Sequence, residues 1–252
     1  MSTHSSIASR PRRERASRAW STCFPYDYDA GELLHRLRDC KLTQVLHNLP
    51  AGDWAKGERG IACIPGRESE FREGVARAID YAKVLGCGQL NCLAGIVPSG
   101  RTFDEVLPTL ADNLRHADRE LRKASIRLLV EAINTRDIPG FALNRTRQVA
   151  AILSQFELSN TWLQYDAYHM QVMEGDLLPT IQAHFARIAH IQIADTPGRH
   201  EPGTGEINYR FILAKLDELG YGGWVGCEYK PAAATQDGLG WMNDHINKGT
   251  LA

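Results

Sequence analysis

Between residues 42 and 231 one alternation recurs: a short apolar run, then an amphipathic stretch of helical period. The runs are "LTQVLHN" (42–48), "QLNCLAG" (89–95), "IRLLVEAIN" (126–134), "TWLQYDAYH" (161–169), "IAHIQIAD" (188–195) and "GWVGCEYKP" (223–231). Between them lie segments such as "SEFREGVARAIDYAKVLG", where Phe71, Val75, Ile79, Ala82 and Leu85 share one face and Gly86 is placed to end the helix. "GELLHRLRDC", "TFDEVLPTLADNLRHADRELRKA", "RTRQVAAILSQF", "LLPTIQAHFA" and "NYRFILAKLDELGY" read as further helices. Strands alternating with helices predict a parallel α/β sheet, and near-continuous apolar strands such as "RLLVEA" predict a sheet covered on both faces. No linker or composition break follows residue 31, so one domain is expected.

Two architectures satisfy this pattern: an open doubly wound sheet, or an eight-stranded (β/α) TIM barrel missing its beginning. The open sheet usually carries a Gly-rich phosphate turn after its first strand. Here "GCGQLN" precedes a strand, which suits a helix stop better than a dinucleotide site. The barrel predicts chemistry at the C-terminal ends of several strands.

Polar residues fall at those ends. Glu131 closes one run, Asp166 and His169 the next, Gln192 and Asp195 the third, and Glu228 and Lys230 the last. In a barrel, Glu131, Asp166, Gln192 and Glu228 converge on one mouth with a net charge of −3. Each alone reads as a cap or an ion-pair partner. Four in register are harder to explain that way, because crowded carboxylates repel and resist desolvation. A hard divalent cation, Mg²⁺ or Mn²⁺, would resolve the conflict, and oxygen ligands suit it better than zinc. His169 is placed to face a substrate, while His47, His116 and His184 read as packing or surface residues and Tyr165 and Tyr168 as core or wall. The loop "DTPGRHEPGTGEINY" (195–209) carries Arg199 and His200, a planar fork and an imidazole for a substrate carboxylate or hydroxyls. Within it, "PGTGE" reads as turn chemistry.

The bulk numbers exclude several classes. A formal net charge of −1 gives no global field for nucleic acid or an anionic membrane. With 43% hydrophobic and 23% charged residues and no membrane-length apolar run, an ordinary globular protein is expected. Six cysteines (Cys23, Cys40, Cys63, Cys87, Cys92 and Cys227) lack CxxC pairs, which suits free thiols in a reducing cytoplasm. A homo-oligomer is allowed but not required.

Several stretches carry a family likeness: "PGRESEFR", "LVEAINTRDIPGF", "LQYDAYHMQ", "HIQIADTPGRHEPGTGEINY" and "GWVGCEYKP". Over about residues 24–245 the chain resembles the hydroxypyruvate isomerase family of the xylose-isomerase-like barrels. The resemblance implies that Glu131 and Glu228 serve as proton donor and acceptor, with Asp166 and Gln192 completing a divalent-metal site. It implies an aldose–ketose type isomerase acting on a small hydroxy-keto acid through an enediolate: hydroxypyruvate to tartronate semialdehyde, or, with the same glutamates, a 2-oxo-tetronate. His169, Arg199, His200 and Lys230 are the expected substrate contacts. The superfamily also contains apurinic-site endonucleases, which need zinc-binding histidines and a basic face that this sequence does not offer.

The opening departs from that family. Five arginines lie between Arg10 and Arg18 without an apolar period, and the likeness begins abruptly at "FPYDYDA". Residues 1–22 lack the apolar stretch of a secretory signal, and an Arg- and Ser-rich presequence is the lesser reading. Ala19 to Phe24 can be encoded so that the neighbouring frame reads Val-Glu-Tyr-Leu-Phe, a family-like second strand. A one-base slip near Cys23–Pro25 would then make residues 1–23 aberrant and leave 24–252 as the barrel domain. The first strand, first helix and most of the second strand would be lost or scrambled. A ring that cannot close, unpaired edges and poor solubility or activity are expected from that loss.

Overall fold

The computed structural model describes residues 19–242, together with the backbone course of residues 5–9. Eight strands form a closed barrel in sequential order: β1 (Ser5–Ser9), β2 (Ala19–Thr22), β3 (Thr43–Asn48), β4 (Gln89–Cys92), β5 (Arg127–Glu131), β6 (Thr161–Asp166), β7 (Ile188–Ile193) and β8 (Trp224–Cys227). Strands β2 to β8 run parallel to their neighbours. The six strands read from the sequence are β3 to β8.

Helices cover the outside: α1 (Ala30–Asp39), α2 (Glu68–Leu85), α3 (Phe103–Lys123), α4 (Thr146–Gln155), α5 (Ala167–Met173), α6 (Leu177–His184) and α7 (Tyr209–Glu218). In α2, Phe71, Val75, Ile79, Ala82 and Leu85 are buried, and Gly86 takes φ 66° and donates its N–H to the Ala82 carbonyl. A capping box between Thr102 and Glu105 starts α3. The main core lies between barrel and helices, where Leu90, Leu128, Val130 and Ile191 meet Leu110, Leu114, Ile152 and Leu213. His47 joins this layer with no exposure, and burial pushes its pKa down to about 4. All six cysteines are free. Among the described residues no helix is long and apolar enough to cross a membrane.

Two expectations change. First, "TWLQYDAYH" does not stay extended to His169. The Asp166 carboxylate accepts from the Tyr168 and His169 amides at 2.8 and 3.1 Å and so starts α5 at Ala167. Second, the ring closes. Strand β1 runs antiparallel and pairs with β2 on one side and β8 on the other. In sequence nine residues lie between β1 and β2, fewer than the dozen or so that a parallel crossover needs, and the two strands pair antiparallel. Most of the segment expected to be aberrant, residues 1–4 and 10–18, lies outside the described residues, as does the domain's end at 243–252.

The antiparallel strand covers two edges that would otherwise expose unpaired backbone groups. Deleting residues 1–9 is therefore expected to raise the sedimenting mass above that of the full chain through edge-to-edge association. An unchanged mass and an unchanged melting temperature would contradict this role for β1.

Candidate active site

Side chains alternate along a strand, so residues two apart share the barrel interior. Asn48, Asn91, Glu131, Gln164, Gln192 and Glu228 all project inward, and their hydrogen bonds join them across five strands and the residue following β8. Asn91 Nδ2 donates to Asn48 Oδ1 at 3.1 Å and to Glu131 Oε2 at 3.0 Å. Gln164 Nε2 donates to the same Glu131 oxygen at 2.9 Å and to Gln192 Oε1 at 2.6 Å. Gln192 Nε2 in turn donates to Glu228 Oε2 at 2.8 Å. Amides thus hold the two glutamates at fixed points of one rim.

Asp166 sits beside them at 1% exposure. Its Oδ1 is spent on the start of α5, while its Oδ2 is buried with no hydrogen-bond partner. His169 Nε2 lies 3.7 Å from that oxygen, too far for a hydrogen bond. Ligand atoms of Glu131, Asp166 and His169 all fall within 4.8 Å of one another. Burial first, then the charges of Asp166 and Glu228, raise the Glu131 pKa well above the carboxylate range. Burial likewise raises that of Asp166 and pushes His169 down to about 3.

Among the described residues, Arg199 is the cation that faces this group. Arg199 Nη2 is 3.4 Å from Glu228 Oε1, its Nη1 is 3.8 Å from Asp137 Oδ2, and its guanidinium lies 5.1 Å from the Tyr168 ring centroid. Burial alone would lower its pKa, but Glu228, Asp166, Glu131 and Asp137 outweigh burial and hold it charged. Its backbone is left-handed, φ 54°, a conformation non-glycine residues adopt at a cost. Asp195 stabilises this loop by accepting from the amides of Thr196, Gly203 and Ile207, so it is a loop anchor and not part of the carboxylate cluster. Gly205 is required there, because a Cβ would lie 2.0 Å from the Thr196 carbonyl oxygen. The Arg199 Nε is buried and without a hydrogen-bond partner.

Glu131, Asp166, Gln192, Glu228, His169 and Arg199 therefore come together. His200 and Lys230 are placed differently: His200 Nδ1 donates to the Lys230 carbonyl at 2.7 Å, and the Lys230 amide donates to the Arg199 carbonyl at 2.8 Å. Their contacts brace the loop against the end of β8, and the Lys230 side chain is exposed. Sequence reasoning passed over Gln164 and Asn91, though the parity of β4 and β6 marks both as inward-facing. It also passed over Cys23, a half-buried thiol just after β2 whose pKa is raised by desolvation and then by the charges of Glu228 and Glu131.

The donor set fits a hard divalent cation. Three carboxylates and one arginine leave a charge of −2, Asp166 Oδ2 is buried and unpartnered, and Gln192 Oε1 keeps a second lone pair.

The family model for the xylose isomerase-like TIM barrel matches residues 16–245. The chain is 54% identical to hydroxypyruvate isomerase of Escherichia coli over 88% of its length and 86% of the relative's. It is 43% identical to 2-oxo-tetronate isomerase of Cupriavidus necator, covering 92% and 89%. A crystal structure described as AP endonuclease, family 2, from Brucella melitensis superposes with a TM-score of 0.86 at 41% identity, over 89% of this chain and 87% of that one. The carboxylate-lined mouth thus belongs to an isomerase, and the chain is a member of the xylose isomerase-like TIM-barrel family, alongside the hydroxypyruvate and 2-oxo-tetronate isomerases.

Proposed function

We propose that this isomerase interconverts hydroxypyruvate and tartronate semialdehyde by proton transfer between C3 and C2. The observation that carries the reading is the pair Glu131 and Glu228, held on one rim by the Gln164–Gln192 amide chain. The 54% identity to a hydroxypyruvate isomerase supports the substrate.

One carboxylate removes a proton from C3, and the bonding electrons pass into an enediolate. A proton is then delivered to C2, while the hydroxyl proton moves from O3 to O2, so the product is an isomer and no redox partner is needed. Arg199, with its spare donors, binds the substrate carboxylate, and His169 faces a substrate oxygen. His200 and Lys230 act at the rim, where His200 supports the loop that presents Arg199. Glu131, Asp166, Gln192 and Glu228 would hold Mg²⁺ or Mn²⁺. When bound, the cation supplies positive charge against the charge that develops on the two substrate oxygens. A reducing cytoplasm suits the free thiols. The same residues would serve a 2-oxo-tetronate, which the 43% identity to such an isomerase favours as the second reading.

Three measurements test this. Side-by-side turnover should be faster on hydroxypyruvate; rates far below those on the four-carbon acid would select the second reading. Glu131→Gln and Glu228→Gln should each lower kcat by about a hundredfold or more while the chain stays folded; near wild-type turnover in either would exclude that glutamate as proton carrier. The third concerns pH. Glu131 and Asp166 bind protons more tightly folded than unfolded, so the stability they contribute is present below their unfolded pKa and lost as pH rises. Mg²⁺ competes with those protons, so it should raise the melting temperature more at pH 8 than at pH 5. An equal shift at both pH values, or none, would contradict binding at these carboxylates.

A further inference from the structure

His169 sits within reach of both the carboxylates and the substrate space, and its two nitrogens could serve either as a ligand lone pair or as a donor. Which one it offers depends on where the ring proton resides, and that is set by what the other nitrogen touches. Its Nδ1 lies 2.7 Å from the side-chain amide of Asn134, a residue with no exposure in the turn after β5.

The orientation of that amide is fixed from two sides. The Asp137 backbone N–H donates to Asn134 Oδ1 at 2.7 Å, and Asn134 Nδ2 donates to Asp137 Oδ2 at 3.2 Å. Rotating the amide by half a turn would set its NH₂ against a backbone N–H and its oxygen against a carboxylate. Nδ2 therefore faces His169, with one hydrogen for Asp137 and one for the ring. A donor aimed at Nδ1 requires a lone pair there. The imidazolium is excluded, and so is the neutral form protonated on Nδ1.

We infer that Asn134 is a positioning residue that locks His169 as the neutral tautomer protonated on Nε2, so that His169 acts as a hydrogen-bond donor and not as a metal ligand. Nε2–H then points towards the gap it shares with the unpartnered Asp166 Oδ2, 3.7 Å away. Neither nitrogen has a lone pair for a cation: Nε2 carries the proton and Nδ1 is occupied. The ligand set reduces to oxygen atoms of Glu131, Asp166, Gln192 and Glu228. The part of the inference that concerns a substrate oxygen rests on the isomerase reading above; the tautomer does not.

Nitrogen-15 chemical shifts of the histidine rings read the tautomer directly, with His169 assigned by the signals lost in His169→Asn. The wild-type protein should show an unprotonated Nδ1 and a protonated Nε2, unchanged by saturating Mg²⁺. Asn134→Asp offers only acceptor atoms to Nδ1 and should transfer the proton to it. In that variant kcat/KM on hydroxypyruvate should fall about tenfold, the worth of one hydrogen bond, and Asn134→Ala should fall less. A wild-type Nδ1 that carries the proton, or an Nε2 signal that moves to the metal-bound range with Mg²⁺, would overturn the inference. So would an Asn134→Asp protein that swaps its tautomer and keeps wild-type kcat/KM on a confirmed substrate. If Asn134→Asp does not fold, the wild-type spectrum still decides. A protein inactive on both keto acids but with the expected wild-type spectrum would refute the substrate reading and leave the tautomer standing.

Discussion

Three carboxylates on the rim of one barrel, facing Arg199, are the constraint on which the rest of the site depends. Glu131 and Asp166 are 4% and 1% exposed, and water cannot screen their repulsion. Isolated buried carboxylates would each cost several kcal/mol and would take up protons instead. The fold answers with directed amides. Asn91 and Gln164 both donate to Glu131, Gln192 donates to Glu228, and the α5 amides donate to Asp166. What the amides leave unsatisfied is chiefly Asp166 Oδ2; in the proposed reaction a cation and a substrate oxygen would complete the charge balance there.

The barrel makes that arrangement rigid because every participant stands on a strand or directly after one. Parallel registers set Glu131 opposite Gln164 and Asp166 opposite Gln192, so neighbouring polar side chains meet without long reaches. The loop after β7 adds the positive charge of Arg199. Asp195 ties that loop together through three backbone amides, and the left-handed Arg199 turns its guanidinium over Tyr168 towards Glu228. His169 in α5 and Asn134 in the turn after β5 meet through one hydrogen bond, which joins that turn to the helix.

Much of this is legible in the sequence, for a physical reason. Strands covered on both faces read as apolar runs, so a polar residue at the end of such a run stands out. That contrast groups Glu131, Asp166, Gln192 and Glu228 from the sequence alone. Gln164 and Asn91 are harder to find because they sit inside the runs, where a single amide looks like tolerated noise; only strand parity reveals that they face the same cavity. The "DAYH" segment reads as strand because its apolar pattern continues, whereas the aspartate is a helix start that competes with the strand. His200 and Lys230 have the residue types of a substrate site, but the backbone contacts that occupy His200 and the loop ends have no signature in composition. The first two strands are illegible for another reason: "SSIAS" and "AWST" carry no buried-strand pattern, yet their backbones can still pair, and the β1 edge needs only hydrogen-bonding groups to seal the ring.

The central claim is that hydrogen moves between C3 and C2 as a proton carried by the rim carboxylates. The most direct test is isomerisation in D₂O with proton spectra of the product and of recovered hydroxypyruvate. Glu228, 18% exposed at its side chain, is open enough to solvent for the transferred proton to exchange on part of the turnovers. Deuterium is therefore predicted at C2 of tartronate semialdehyde. A product whose C2 hydrogen comes wholly from C3 of the substrate, with no solvent deuterium, would contradict an exchanging carboxylate carrier and favour a direct hydride shift.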